Sequence, residues 1–382
     1  MPTPSNRATW LAVSAMFVLN GALYGMWASR IPAAAQLHGL DKADLGLLLL
    51  LLAGGAIAAF PLAGRVADAR GAAPVTLAIA VAYAVALCLI GLAPSVAWLA
   101  LALFAFGATH GAMDVAMNTW AGEAEAHIAR PVMSSFHAMF SLGAGLGAAS
   151  GYAAERMEIG IAPHFIIGAA IILVLTMMLA RVPWASQKQG SGAKPPLFPF
   201  PRGPLIAVGL IAFCSSMGEG AMVDWSALFL VDIAQVDGAR AALGYTIFSV
   251  AMVVTRLLGD QVTYRLGPVK TARLAGVFAT IGTLFAVGFA SYGMALLGFV
   301  FMGVGYAVIM PLAFSRAARD PHLPPGSAIA SVATLGYGGL LLGPPVIGFI
   351  AHATSLRLGF GVLAALAGLI IVLAYAVRRP SN

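Results

Sequence analysis

The sequence predicts an all-α polytopic membrane protein in which twelve transmembrane helices form two six-helix pseudo-repeats. Three observations support this fold class: the composition, the spacing of the apolar runs and a weak internal repeat. Of the 382 residues, 60% are hydrophobic and only 9% are charged. Soluble domains carry about 25% charged residues, so a membrane protein is the class that fits.

Twelve apolar segments are long enough to cross a bilayer as helices, since a span needs about 20 residues. The ends of such segments are less certain than their centres. The predicted spans are residues 8–28, 43–63, 74–93, 96–118, 132–153, 162–180, 204–229, 241–259, 270–290, 292–314, 327–351 and 357–377.

The basic residues set the predicted orientation. If the N-terminus is inside, sixteen of the 21 Lys and Arg residues fall on the cytoplasmic side. This bias is the positive-inside pattern, and it places both termini in the cytoplasm. The net charge of +7 is therefore a topology signal. We expect a monomer in the inner (plasma) membrane, with the lipid bilayer as partner and no nucleic acid.

A segment rich in Pro, Gly, Lys and Ser divides the chain into two halves of similar length. It covers residues 183–203 and has the composition of a linker. We expect a six-helix bundle at 1–182, a cytoplasmic linker at 183–203 and a second six-helix bundle at 204–382.

The two halves carry short matches at nearly one offset. Pro131-x-x-Ser134 recurs as Pro324-x-x-Ser327, an offset of 193 residues, and two further short matches have offsets of 193 and 195. One of them aligns Thr263 with Asp68. Matches at equivalent places in both halves indicate parallel six-helix repeats.

Three carboxylates lie inside predicted spans: Asp114, Glu219 and Asp224. An Asp at the centre of a membrane helix costs about 2.5–3.5 kcal/mol on insertion scales, so such groups are usually functional. The seventh span contains Glu219 but no Lys or Arg, and we expect an ionised Glu219 to lack a local counter-ion. We assign proton coupling first to Glu219, with Asp114 as its rival and Asp224 as the gating member of the group.

Polar residues share helix faces near these carboxylates. His110, Asp114 and Asn118 recur at i, i+4 and i+8 on one face of the fourth span. We expect His137, at a similar depth in the fifth span, to pair with Asp114. Ordinary helix packing would explain an intramembrane amide equally well. The predicted substrate-binding residues are Asn20, Tyr24, His110, Asn118, His137 and Trp225.

A charged turn follows the second span. Its glycine would permit close helix approach, and its aspartate could pair with an arginine or cap the next helix start. A second glycine pair, Gly107-x-x-x-Gly111, would let another helix approach the fourth span. The residues of the predicted loop motif are Gly64, Asp68, Arg70 and Gly71.

The twelve spans, the two halves, the linker and the loop motif together resemble the major facilitator superfamily. The loop departs from the usual pattern, because Ala69, Ala72 and Ala73 stand where basic residues are common. Five stretches resemble the YbjJ/MosC-like branch of that superfamily: Trp27–Pro32, Gly111–Asn118, Arg130–Ala138, Ser141–Gly143 and Glu219–Ser226.

The resemblance implies a secondary transporter that works by alternating access of its two halves. One member of the branch is associated with transport of an inositol-amine compound, which points to a sugar-, polyol- or inositol-like solute. No Walker-type phosphate-binding sequence is present. We therefore expect an ion gradient, most simply of protons, to drive transport. We expect no enzyme activity, no cofactor and no bound metal.

Three alternatives remain open at this point. The first is proton-antiport efflux of drug-like amphiphiles, although the fifth span lacks a clear Gly-Pro antiporter pattern. The second is a membrane sensor or scaffold without transport, which would be expected to carry an extramembranous partner domain. The third is a metal site formed by His110, His137 and Asp114, which metal titration of the purified protein would detect.

Overall fold

The computed structural model describes residues 4–40, 42–188, 201–236 and 238–379. The side chains of residues 42, 43, 45, 46, 238, 239, 242 and 344 are not described. Most of the predicted linker at 183–203, namely residues 189–200, lies outside the described residues.

The described residues form helices joined by short turns. The N-terminal helices are α1 (Asn6–His38), α2 (Lys42–Arg70), α3 (Ala72–Gly91), α4 (Val96–Ile128), α5 (Met133–Arg156) and α6 (Ile161–Ala180). The remaining helices are α7 (Pro204–Ala234), α8 (Gly238–Leu266), α9 (Pro268–Gly288), α10 (Tyr292–Tyr306), α11 (Ile309–Ala317), α12 (Pro325–Ala353) and α13 (Leu356–Leu373), followed by a 3₁₀ turn, Ala374–Val377.

These helices confirm the predicted all-α multi-pass fold. In the described part of the chain, eleven helical segments are long and apolar enough to cross a membrane, with α10 and α11 counted as the single segment Tyr292–Ala317. Helix α5 is also 24 residues long, and it completes the twelve predicted spans.

Two predicted helix ends were wrong. Helix α1 continues ten residues beyond residue 28, to His38, and α4 continues from residue 118 to Ile128. The extension of α4 is rich in Ala and Glu, which are strong helix formers but lower the hydropathy on which the prediction depended. As a result, Glu123 and Glu125 belong to a membrane-length helix.

The described residues group into two compact units. One comprises Met1–Ala129, Phe136–Pro199 and His322–Ala330, and the other comprises Arg130–Ser135, Phe200–Pro321 and Ser331–Asn382. The first turns of α5 and α12 thus belong to a different unit from the rest of each helix. The predicted boundaries of the two six-helix bundles stay a prediction.

In the first unit, α4 packs closely against α2 through two glycines. A Cβ atom added at Gly107 would lie 1.9 Å from the carbonyl oxygen of Leu52. One added at Gly111 would lie 2.5 Å from the carbonyl oxygen of Ala56. This contact confirms the close helix approach predicted from the glycine pair, and it holds α4, which carries much of the predicted site, at a fixed distance from α2.

In the second unit, α7 is the central element. It packs against α8, α10, α11 and α13. Phe229 of α7 lies between Phe299 of α10 and Phe360 of α13, with ring centroids 6.1 and 4.4 Å away. Aromatic contacts of this kind fix the rotation of α7 about its axis, and thereby the direction of its polar side chains.

Candidate functional site

A buried polar cluster in the first unit is centred on His110 of α4. The Nδ1 atom of His110 lies 3.0 Å from Oδ1 of Asn20 and 3.0 Å from the hydroxyl of Tyr83. Tyr24 stacks on the imidazole at a centroid distance of 5.0 Å. Asn20 and Tyr83 are fully buried, whereas Tyr24 is 37% exposed. The structure therefore brings together three predicted substrate-binding residues, and Tyr83 is a member that sequence reasoning missed.

Asp114 and Asn118 form a second pair one turn further along α4. The Asn118 side-chain amide donates to Oδ1 of Asp114 at 3.1 Å and to its carbonyl oxygen at 2.8 Å. Both side chains are buried. His137 is half-buried and lies edge-on to Phe17 at 5.4 Å. The predicted contact between His137 and Asp114 stays a prediction.

Glu219 of α7 forms an ion pair with Arg256 of α8. The distance between Oε1 of Glu219 and Nη2 of Arg256 is 3.6 Å, and the two side chains are 30% and 9% exposed. The expectation that Glu219 lacks a local counter-ion was therefore wrong. The cation comes from the neighbouring helix, which an inspection of the seventh span alone could not reveal.

Arg256 is held in place by a second contact, which a proline creates. Pro311 has no N–H group, so it cannot donate to the carbonyl of Ala307, four residues earlier. The helix is interrupted at Ala307 and Val308, between α10 and α11. The Nε atom of Arg256 donates to this carbonyl at 3.3 Å. A broken helix and a buried arginine thus satisfy each other while the guanidinium faces Glu219.

Asp224 and Trp225 lie further along α7. Asp224 is exposed, and Tyr245 of α8 interacts electrostatically with Glu219, Asp224 and Arg256. Trp225 packs over Gly348 of α12, and its buried indole N–H has no hydrogen-bond partner among the described residues. Both predicted site residues of this region therefore share a face with groups that no other contact fully satisfies.

The loop-motif aspartate caps a helix, but not the next one in the sequence. Asp68 accepts hydrogen bonds from the backbone N–H groups of Gly326 and Ser327 at 2.8 and 3.0 Å, and from the Ser327 hydroxyl at 2.7 Å. These donors form the first turn of α12, whose positive dipole end favours a carboxylate. Gly64 permits this contact, because an added Cβ would lie 2.6 Å from the Gly326 carbonyl oxygen.

The remaining residues of the motif have lesser roles. Arg70 is exposed at the end of α2. Gly71 has a positive φ of 96°, which glycine adopts without strain, and it starts α3.

A second carboxylate makes the equivalent contact in the second unit. Asp260 of α8 accepts from the N–H groups of Ser134 and Ser135 at 2.9 and 2.8 Å, at the start of α5. The internal repeat aligns Thr263 with Asp68, so the carboxylate comes from one helical turn earlier than the alignment indicates. The Pro-x-x-Ser repeat marks the two capped helix starts, although sequence reasoning missed Asp260.

Glu123, at the end of α4, anchors the chain that follows α6. Its carboxylate accepts from the indole N–H of Trp184 at 2.7 Å and from the backbone N–H of Gln187 at 3.1 Å. The Ser186 hydroxyl accepts from the N–H of Ala73 at the start of α3. This contact ties the chain after α6 to the same end of the first unit as Asp68.

One sequence signal would have found part of what was missed. Arg256 lies inside the predicted span 241–259, and a charge in a membrane helix requires a partner whatever its sign. Tyr83 gives no comparable signal, since a tyrosine in an apolar run is common in a helix core.

The comparisons with known proteins agree with this arrangement. Residues 9–324 match the sequence profile of the Major Facilitator Superfamily. The chain is 45% identical over 370 residues to "Uncharacterized transporter y4wD" of Sinorhizobium fredii, covering 97% of this chain and 98% of that protein. It is 30% identical to "Membrane protein MosC" of Rhizobium meliloti, covering 92% and 86%.

A solved structure has the same fold. The crystal structure of the E. coli fucose:proton symporter FucP superposes with a TM-score of 0.80 at 16% sequence identity, covering 99% of this chain and 100% of that chain. At this identity the likeness concerns the fold alone.

Proposed function

Because the chain belongs to the major facilitator superfamily, and is therefore a multi-pass membrane transporter rather than an enzyme, we propose that it moves a small hydroxylated solute by proton-coupled alternating access. The solute is sugar-, polyol- or inositol-like. The protein acts in the inner membrane with both termini in the cytoplasm.

The observation that carries proton coupling is the ion pair between Glu219 and Arg256. A carboxylate in an apolar helix is stabilised in its ionised form by a nearby cation, and the pair loses that stabilisation when a proton binds. Glu219 is 30% exposed, so a proton can reach it, while Arg256 is nearly enclosed. Proton uptake by Glu219 would release the guanidinium from the pair, which gives protonation a structural consequence.

The nature of the solute is supported by the uncharged polar groups around His110. Amide, imidazole and phenol groups suit hydroxylated solutes, and the partly exposed ring of Tyr24 offers a flat face. The names of two similar proteins agree with this class: MosC belongs to the branch noted above, and FucP is a fucose:proton symporter.

A transport assay in proteoliposomes tests the proposal. The panel contains myo-inositol, glucosamine and the amphiphilic cation ethidium, and a pH gradient of either sign is imposed. We expect accumulation of the polyol or the amino sugar only with the gradient, and its loss with a protonophore. Movement of ethidium alone would favour drug efflux, and transport that ignores the gradient would contradict proton coupling.

A further inference from the structure

One nitrogen atom in the His110 cluster has two oxygen neighbours. Nδ1 of His110 lies 3.0 Å from Oδ1 of Asn20 and 3.0 Å from the Tyr83 hydroxyl. A ring nitrogen can donate or accept in these contacts, depending on where the imidazole proton resides. An amide oxygen can only accept, so a proton must lie between Nδ1 and Oδ1 for that contact to be attractive. The orientation of the Asn20 amide therefore decides the tautomer.

Met117 decides the orientation of the Asn20 amide. The Nδ2 atom of Asn20 lies 3.6 Å from the thioether sulfur of Met117, to which it donates. A thioether is an acceptor without a donor hydrogen, so the opposite orientation would place the amide oxygen against the lone pairs of the sulfur. The amide nitrogen consequently faces Met117, and the amide oxygen faces His110.

The ring itself cannot turn to exchange its two edges. Tyr24 covers one face of the imidazole, and Tyr83 packs against it at a centroid distance of 5.6 Å. A rotation by 180° would replace Nδ1 with the carbon Cδ2 and break both hydrogen bonds. His110 is only 7% exposed and no carboxylate is among its hydrogen-bond partners in the described part of the chain. Because an unpaired buried charge is costly, the imidazole is neutral.

We propose that Asn20 holds neutral His110 as the Nδ1–H tautomer, so that Nε2 presents a lone pair to the solute. The inference rests on the proposed function in naming a solute as the ligand. A lone pair at Nε2 accepts a hydrogen bond from a hydroxyl or an ammonium group and repels an anion. His110 then selects hydrogen-bond donors, while Asn20 and Met117 act as positioning residues that do not touch the solute.

Nitrogen NMR tests the tautomer without any transport. The protein is labelled with ¹⁵N-histidine and placed in lipid nanodiscs, and the signals of His110 among the seven histidines are identified by their loss in His110→Gln. We expect a protonated signal for Nδ1 and an unprotonated signal for Nε2. The reverse assignment, or protonation of both nitrogens, would overturn the proposal even if the protein proves to be a proton-coupled transporter.

Three variants show which residue sets the tautomer. Asn20→Leu removes the acceptor, so the Tyr83 hydroxyl can donate to Nδ1 and the proton should move to Nε2. Tyr83→Phe leaves the Asn20 contact in place, so the Nδ1 proton should stay. Met117→Leu keeps the volume but removes the sulfur, and a mixture of tautomers is expected. If Tyr83→Phe moves the proton and Asn20→Leu does not, Tyr83 is the determinant and the proposal is wrong.

Binding probes test the selectivity. Myo-inositol, glucosamine and gluconate are each titrated into the labelled protein while the Nε2 signal is followed. We expect myo-inositol or glucosamine, but not gluconate, to shift this signal, and Asn20→Leu to weaken the binding by about tenfold or less, the contribution of one neutral hydrogen bond. A shift with gluconate alone would contradict the proposed selectivity. If none of the three moves the signal, the proposed role of Nε2 in binding hydroxylated solutes is rejected, whatever the transport assay shows.

Discussion

At the scale of single residues, buried charges are paired across helices. Arg256 illustrates the point, because it neutralises Glu219 and also fills the carbonyl that Pro311 leaves without a donor. Helical spacing predicted which residues share a face of one helix, as with Asp114 and Asn118. It could not predict Arg256 or Tyr83 as partners, because the choice of neighbouring helix depends on packing of the whole unit.

The ion pair predicts non-additive effects on stability. Arg256→Gln should lower the free energy of unfolding by about 1–2 kcal/mol in the wild type, since it leaves a partly buried carboxylate unpaired. The same substitution should cost much less in Glu219→Gln, which has no charge to neutralise. A double-mutant cycle from thermal unfolding in detergent measures the difference. Asp232→Asn, at an exposed position of α7, is the matched control; equal costs in both backgrounds would argue against the pair.

At the scale of helices, two starts are capped by carboxylates from distant parts of the sequence. Asp68 caps α12 and Asp260 caps α5. The sequence predicted Asp68 as a cap, and the repeat found both Pro-x-x-Ser starts. It pointed to Thr263 rather than Asp260, because a carboxylate one turn away on the same helix face can reach the same donors.

Removing these caps should destabilise the protein. Asp68→Ala and Asp260→Ala should each lower the free energy of unfolding by about 1–3 kcal/mol, because each leaves charge-assisted hydrogen bonds at a helix start unmade. Thr263→Val is the matched control, since the buried Thr263 hydroxyl has no hydrogen-bond partner among the described residues. Thermal unfolding should show a clear loss for the two aspartates and little change for Thr263. A loss at Thr263 as large as at Asp260 would mean that the alignment, not the geometry, identifies the cap.

Helix α5 offers a matched pair of glycines for the close approach to α1. A Cβ atom added at Gly143 would lie 2.2 Å from the carbonyl oxygen of Val18, whereas one added at Gly145 would meet nothing within 4 Å. Gly143→Ala should therefore force the helices apart and lower the melting temperature. Gly145→Ala should be neutral or stabilise by up to about 1 kcal/mol, from helix propensity. Comparable melting temperatures for the two variants would contradict the packing described between α1 and α5.

At the scale of the whole molecule, hydropathy predicted the fold class and the number of spans, because a bilayer imposes length and apolarity on every helix that crosses it. The ends of α1 and α4 escaped the prediction, since helices continue beyond the apolar core wherever their residues favour helix. Glu123 was lost for this reason. The solute is not encoded by spacing in the sequence, because it depends on side chains that several helices bring together.

The charge bias makes a prediction about topology. Reporter fusions after Arg70, near Lys188 and at the C-terminus should all read cytoplasmic, since basic residues are retained on that side. A reporter placed after Arg156, on the predicted outer side, serves as the control with the opposite sign. A periplasmic signal near Lys188 would exclude the twelve-span topology.

Proton movement coupled to solute movement tests the central claim most directly. Proteoliposomes enclosing a pH-sensitive dye are given whichever solute the wild type transports, with no imposed pH gradient. The wild type and Asp232→Asn should move protons when the solute is added. Glu219→Gln, which cannot take up a proton, should move none while still exchanging solute across the membrane. Proton movement at the wild-type rate in Glu219→Gln would contradict the account, and Asp114→Asn would then be the variant to measure.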